Sequence, residues 1–381
     1  MTEMRMKLPL PENRDIIGVL LFLALALRLW FSLAVGLPVP EGPQVELAAL
    51  AQGGDVGVTV APLYVLFLRT VSALFGPYAE RVIFSIQGIA GAAVVILLYY
   101  IAARISSMWI ATVTAVIAAI YPYYLINGLS YSYGTMGMLA VTILVLLAVR
   151  QSRGRAAHAI AGCIAGVAIL TAPITAFFMP GFALVFRRRG IFLLCVLIVL
   201  VPWTLRNSIR VGMPVPVYGI EAYEIAKHRY RLNHSDGVLR LVNDIYNNAS
   251  VMVSRGGVAE FDDQSDNVRS SNYMRAYSYV IIMILAVFGL LKGYKRSHRP
   301  LLVPVAIFIC LVVFFSLLRR TYRILSDYIV IFYAAVALRL LCSWFRERRT
   351  SPGQDQIASR EISLNRGKSN LTFTCAPEDT F

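Results

Sequence analysis

The chain is built from stretches of about 20 apolar residues separated mostly by short basic connections. Hydrocarbon offers no water to the peptide groups, so such a stretch crosses a bilayer as a helix that closes its own hydrogen bonds over roughly 30 Å. Segments at 16–36, 83–103, 108–126, 134–149, 157–172, 173–186, 190–205, 276–292, 299–318 and 325–345 predict an all-α polytopic membrane protein. That is ten spans, with nine to eleven compatible with the pattern. The two at 157–186 are one apolar run, which Pro173 and Pro180 divide into a tight helical hairpin. The first segment is too long for a removed signal peptide and has no small-residue cleavage site. Composition agrees: with 58% hydrophobic and 15% charged residues, no single soluble core would hide the apolar surface. An ordinary soluble enzyme, a disordered chain and a disulfide-stapled secreted domain are thereby excluded.

The net charge of +15 would suggest nucleic acid in a soluble protein, but here the cations have another origin. With the N-terminus in the cytoplasm, the cytoplasmic connections hold Arg104; Arg150, Arg153 and Arg155; Arg187, Arg188 and Arg189; then Lys292, Lys295, Arg296 and Arg299. Arg346, Arg348 and Arg349 follow the last span. This is the positive-inside bias, so no nucleic-acid partner is expected. Residues 1–349 form the transmembrane domain, with a first external loop at 37–82 and an external cap loop at 206–275. Residues 350–381 lack any apolar period and read as a disordered cytoplasmic tail. Within the first loop, 58–76 has helical periodicity but carries Arg69, which predicts a helix lying along the membrane surface.

No cysteine falls in an external loop, and no Cys/His cluster suggests a metal. The carboxylates of FDDQSD (261–266) are oxygen ligands of the kind a divalent cation takes, but a solvated loop is the better reading, so no cofactor is expected.

Ionisable groups at membrane depth or at outer helix ends are costly and therefore mark candidate sites. Arg28 lies near the outer end of the first span, and Glu41, Gln44 and Glu46 follow it in the loop. Tyr64 and Arg81 precede the second span and Gln87 lies in its first turns, and Trp203, Arg206 and Asn207 end the seventh. Arg319, Arg320, Arg323 and Asp327 cluster before the last span, against the positive-inside bias. Guanidinium groups take phosphate through paired hydrogen bonds, so an external Arg cluster at the lipid boundary suggests a lipid-linked phosphate.

The order of LRLWFSLAVGLP, PLYVLFLR, FGPYAERVIFSIQG, AAIYPYYLING, GVAILTAPITAFFMPG, PWTLRNSIRVGMPVPV and RRTYRILSDY resembles the GT-C membrane glycosyltransferases. The likeness is to the bacterial branch related to protein mannosyltransferases and the lipid A aminoarabinose transferase, and it runs over 16–345, most strongly over 83–127 and 157–217. It implies transfer of a sugar from a polyprenyl-phosphate donor to an extracytoplasmic acceptor at a bacterial inner or plasma membrane. A carboxylate would act as base, and cations would take the departing phosphate.

The family's Asp in the first external loop aligns with Gln44, which is no base, and Ser and Tyr replace a second acidic residue in NGLSYSYGTMG (127–137). Glu41, with Glu46 in reserve, is therefore the candidate base. Arg81, Arg206, Arg320 and Arg323 are candidates for the donor phosphate, and Gln44, Tyr64, Trp203 and Asn207 for the donor or acceptor pocket. Expected partners are the lipid-linked sugar, membrane lipid and other envelope-glycan assembly proteins. Three alternatives stay open: a catalytically altered relative that binds lipid-linked sugar or scaffolds glycan assembly, a flippase or transporter, and a polysaccharide polymerase or ligase.

Overall fold

A computed structural model describes residues 14–35, 49, 61–128, 131–150, 154–211, 281–314 and 327–345. Every regular element among them is helical. In chain order these are α1 (Arg14–Val35), α2 (Pro62–Phe75), α3 (Ala79–Ile105), α4 (Met108–Ile120), α5 (Pro122–Asn127), α6 (Gly134–Arg150) and α7 (Arg155–Thr171). Then come α8 (Met179–Val185), α9 (Arg189–Val211), α10 (Ile281–Gly293), α11 (Arg299–Phe314) and α12 (Asp327–Phe345). Single 3-10 segments lie at Gly76–Tyr78, Pro173–Phe178 and Arg296–His298. The external cap and the tail expected at 206–275 and 350–381 lie, beyond residue 211, outside the described residues.

Local chemistry explains the breaks. Pro122 has no N–H and crowds the residue before it, so Tyr121 is extended (φ −66°, ψ 117°) and α4 ends there. Gly76 takes a positive φ of 51°, which lets the chain turn from α2 into the 3-10 segment before α3. Ser107 caps α4, accepting from the Ile110 N–H at 3.5 Å. The break expected in the long apolar run falls at Ala172–Pro173, and Pro180 sits in the first turn of α8.

Among the described residues, three helical stretches are long and apolar enough to cross a membrane, Pro62–Ile105, Arg189–Ile209 and Asp327–Phe345, beside several shorter apolar helices. The first includes α2, which packs on α3 and α7 through Tyr64, Val65, Leu68 and Val71. Apolar side chains on α1 (Val19, Phe22, Leu29, Trp30) and α9 (Leu194, Leu197, Ile198, Leu205, Ile209) face outward from the bundle, as lipid-facing surfaces do.

The helices meet through glycines. A Cβ on Gly162 would lie 2.4 Å from the Phe192 carbonyl oxygen, and one on Gly166 would lie 2.6 Å from the Val199 Cβ. Gly162 and Gly166 thus form the small-xxx-small face on which α7 and α9 run parallel. Gly289 and Gly293 do the same for α10 against Tyr333 and Val336 of α12, and Gly181 of α8 abuts Pro304 of α11. Phe178 and Phe308 stack at 3.9 Å between ring centroids behind that contact.

Candidate functional site

Polar side chains converge where α1 ends and where α3, α6 and α12 begin. In α2, Tyr64 is buried, and its hydroxyl donates to Gln87 Oε1 of α3 at 3.3 Å. Its ring meets Tyr133 edge-on at 6.2 Å. Tyr131 packs on Phe84 at 5.2 Å, and burial with Glu80 nearby holds its phenol above the ordinary tyrosine range. Asn127 Oδ1 accepts from the Ser132 hydroxyl at 3.3 Å, and Ser132 in turn accepts the Gly134 N–H at 3.1 Å, which starts α6. The Cβ position of Gly128 lies 3.8 Å from the Gln87 carbonyl oxygen, so the end of α5 rests in ordinary contact with the backbone of α3. Asn127, Gly128 and Tyr131–Gly134 therefore join α2, α3, α5 and α6.

On the other side of α5, the Tyr121 hydroxyl donates to Asp327 Oδ2 at 2.8 Å. Asp327 is only 1% exposed, and Tyr124 meets Tyr121 edge-on at 5.1 Å. The hydroxyls of Tyr124 and Tyr328 are buried without a hydrogen-bond partner. A carboxylate inside a ring of phenols can be held charged by O–H donors or exchange a proton with them. At the opposite end of the same helix, Arg339 donates to Ser107, so α12 lies antiparallel along α4.

Arg28 occupies the third face of this region. It is 3% exposed in α1, and its Nη1 donates to the Ala24 carbonyl at 2.8 Å. Its Nε and Nη2 are buried and make no hydrogen bond. They lie over the glycine face of α3: a Cβ on Gly91 would sit 2.9 Å from Nε and 3.0 Å from Nη2. Unsatisfied N–H groups on a buried guanidinium are costly, so this arrangement is itself unusual.

Trp203, Arg206 and Asn207 form a separate cluster near the end of α9. The Arg206 guanidinium lies 4.2 Å over the Trp203 ring, and its Nη1 donates to Asn207 Oδ1 at 3.2 Å. Asn207 is fully buried. Because α6 and α7 are joined by a short connection and α9 runs parallel to α7, this cluster belongs to the same end of the bundle as the start of α6. Pro202 lies inside α9, which continues to Val211, so Arg206 and Asn207 are helical residues.

Of the candidate site residues, Tyr64, Trp203, Arg206 and Asn207 are buried or half-buried in these clusters. Arg81 is exposed on the first turn of α3. Glu41, Gln44, Glu46, Arg320 and Arg323 lie outside the described residues. In the sequence Arg28, Gln87 and Asp327 stand out only as polar groups near helix ends, with no site role, and Tyr121 and Tyr124 do not stand out. The available signal was an Arg inside an apolar helix and an Asp opening one. Their partners come from segments 23 to 206 residues away, beyond the reach of local spacing. No group of three or more His, Cys, Asp or Glu side chains that would hold a metal occurs among the described residues.

No family model matches the chain, and no curated protein matches it in sequence. Among solved structures, it is similar to the oligosaccharyltransferase of Archaeoglobus fulgidus, solved with a tethered acceptor peptide containing the NVT sequon. The identity is 15% and the TM-score 0.50, over 88% of this chain and 50% of that one. The chain thus spans about half the length of that neighbour, and what the two share is the helical fold.

Proposed function

We propose that this protein is a membrane glycosyltransferase that takes a sugar from a polyprenyl-phosphate donor and passes it to an extracytoplasmic glycan, lipid or protein. The observation that carries this reading is the fold shared with a membrane oligosaccharyltransferase over most of the chain. The buried polar groups gathered at one end of the bundle support it. In this reading the ten spans place that end outside a bacterial plasma membrane, with the N-terminus and the tail in the cytoplasm, and α2 rests at the outer membrane surface. A cap formed by 206–275 covers the site.

The reaction breaks the bond between the sugar C1 and the lipid phosphate oxygen and forms one from C1 to the acceptor oxygen or nitrogen. The acceptor proton passes to a carboxylate, assigned to Glu41 with Glu46 in reserve, and the phosphate leaves with the bonding pair. Arg81, Arg206, Arg320 and Arg323 stabilise that developing charge. Tyr64, Trp203, Asn207 and Gln44 line the donor and acceptor pocket, and no cofactor is required. Gln44, standing where the resembled family carries its base, favours one second reading: a catalytically altered relative that holds lipid-linked sugar or scaffolds envelope-glycan assembly.

The test is transfer by the purified protein in nanodiscs supplied with labelled polyprenyl-phosphate sugars. Wild type should release and transfer sugar, and Glu41→Gln should reduce the rate about 100-fold or more, the scale of general-base catalysis. Activity unchanged in both Glu41→Gln and Glu46→Gln would overturn the base assignment. No turnover with any donor, together with retained donor binding, would favour the altered relative.

A further inference from the structure

Two free thiols meet across the contact between α7 and α9, and the proposed transfer uses neither. Cys163 follows Gly162, the residue whose missing side chain lets α9 come close. Cys195 is the residue that α9 sets against that glycine: a Cβ on Gly162 would lie 2.7 Å from the Cys195 Cβ. The Cys163 and Cys195 thiols are within hydrogen-bonding reach of each other. Ordinary packing holds helix axes about 8–10 Å apart, and a glycine face lets them come nearer. A disulfide needs Cα atoms within about 7 Å and Cβ atoms that do not point apart. Thiols already in contact on two parallel, closely packed helices need only side-chain rotation to meet that condition.

The pair sits at the rim of the contact and not inside it. Cys163 is exposed and Cys195 half-buried. Ile160 and Val167, one turn to either side of Cys163, are exposed, as are Leu194 and Ile198 beside Cys195. All four neighbours are apolar, so in a membrane this rim faces hydrocarbon. A lipid-soluble reagent reaches it, and a charged, water-soluble one does not.

We propose that Cys163 and Cys195 form a modification site at which a lipid-soluble hydroperoxide makes a disulfide between α7 and α9. One sulfur attacks the terminal peroxide oxygen and breaks the O–O bond. It becomes a sulfenic acid, and its proton leaves with the alcohol derived from the hydroperoxide. The second sulfur then attacks the first, the S–S bond forms, and the hydroxyl departs with the second thiol proton as water. Each sulfur is oxidised by one electron, and the peroxide is reduced by two. Contact between the sulfurs places the second thiol beside the sulfenic acid as it forms. The bond fastens α9, the helix that carries Trp203, Arg206 and Asn207, and it lies out of reach of water-soluble thiols. The site stands on the two helices and their thiols and is independent of the transfer reading.

The test uses the full chain in nanodiscs, treated with cumene hydroperoxide or hydrogen peroxide, then alkylated and digested with trypsin. Cumene hydroperoxide should join peptides 156–187 and 190–206 through one disulfide, seen by mass spectrometry without reductant. Cys163→Ser and Cys195→Ser should each abolish that product, and Cys310→Ser and Cys342→Ser should leave it. Gly162→Ala, which moves α9 off α7, should slow its formation. Hydrogen peroxide should be the slower oxidant once each rate is divided by that with a free thiol in solution. Reduced glutathione should cleave the link only after the protein is denatured. No joined peptides in folded wild type, or joining of Cys163 to a second copy of the chain, overturns the site. Equally fast joining in a variant that keeps only Cys163 and Cys310 overturns it too, because contact would then not direct the reaction. Hydrogen peroxide as effective as cumene hydroperoxide on the same scale overturns the lipid-soluble oxidant.

Discussion

Tyr121 and Asp327 meet across 206 residues of sequence, and their bond is the best-formed polar contact in the site. A hydroxyl donating to a buried carboxylate contributes about 1.5–3 kcal/mol. Tyr121→Phe should therefore lower the thermal unfolding midpoint in detergent, and a double change with Asp327→Asn should cost less than the two single changes summed. A second residue-scale prediction concerns His298, in the 3-10 segment between α10 and α11. The Lys295 N–H, which can only donate, approaches His298 Nδ1 at 3.4 Å, and the Tyr333 hydroxyl lies 2.9 Å from the same nitrogen. Nδ1 is thus an acceptor, and the neutral ring is the form that fits. Burial, with the Lys295 charge adding to it, lowers the pKa of His298. The unfolded chain then binds the proton more readily, so this contribution to stability is complete above an unfolded pKa of about 6.5 and is lost as pH falls towards the lowered value. Unfolding midpoints followed from pH 8 down to pH 5, as round experimental limits of about that unfolded pKa on either side, should decline more in wild type than in His298→Gln.

At the scale of elements, the apolar periods placed α1, α4, α6, α7, α9, α10, α11 and α12 close to where they are found, because a bilayer-length apolar run has few alternatives to a helix. The breaks at Tyr121 and Ala172 follow from Pro122 and Pro173. How the helices pair was less legible. The glycine pairs 162/166 and 289/293 are visible as four-residue spacings, but only the packed bundle shows which helix each one faces. Gly162→Ala should push α9 away from α7 and cost about 1–3 kcal/mol, the usual scale of overpacking. Gly190→Ala, with open space around its Cβ position, should be neutral or mildly stabilising. Heating curves of the two variants side by side check this contrast.

At the scale of the whole molecule, the direction of each helix decides what can share a site. Alternating crossings bring Arg28, Tyr64, Gln87, Tyr121 and Asp327 to one end, and the parallel course of α7 and α9 adds Arg206 and Asn207 to it. The expected orientation has a direct check. In a variant lacking its native cysteines, single cysteines at Lys292 and Ser152 should react with an impermeant maleimide only after the cell membrane is opened, and one at the exposed Tyr78 should react in intact cells. Labelling in the reverse pattern would move the site to the cytoplasm and remove the polyprenyl-phosphate reading.

The amino-acid order alone determined that the chain is a bundle of apolar helices, and close to where most of them start and stop. Those properties depend on transfer of local segments between water and hydrocarbon, and each segment carries that free energy by itself. It also pointed to Tyr64, Arg206 and Asn207 through their place at helix ends. Only the tertiary structure decided that Asp327 is held by Tyr121 and that the Arg28 guanidinium packs against Gly91. Those are contacts between distant segments, set by how glycine faces let helices approach, and no local pattern of residues encodes the distance at which two helices come to rest.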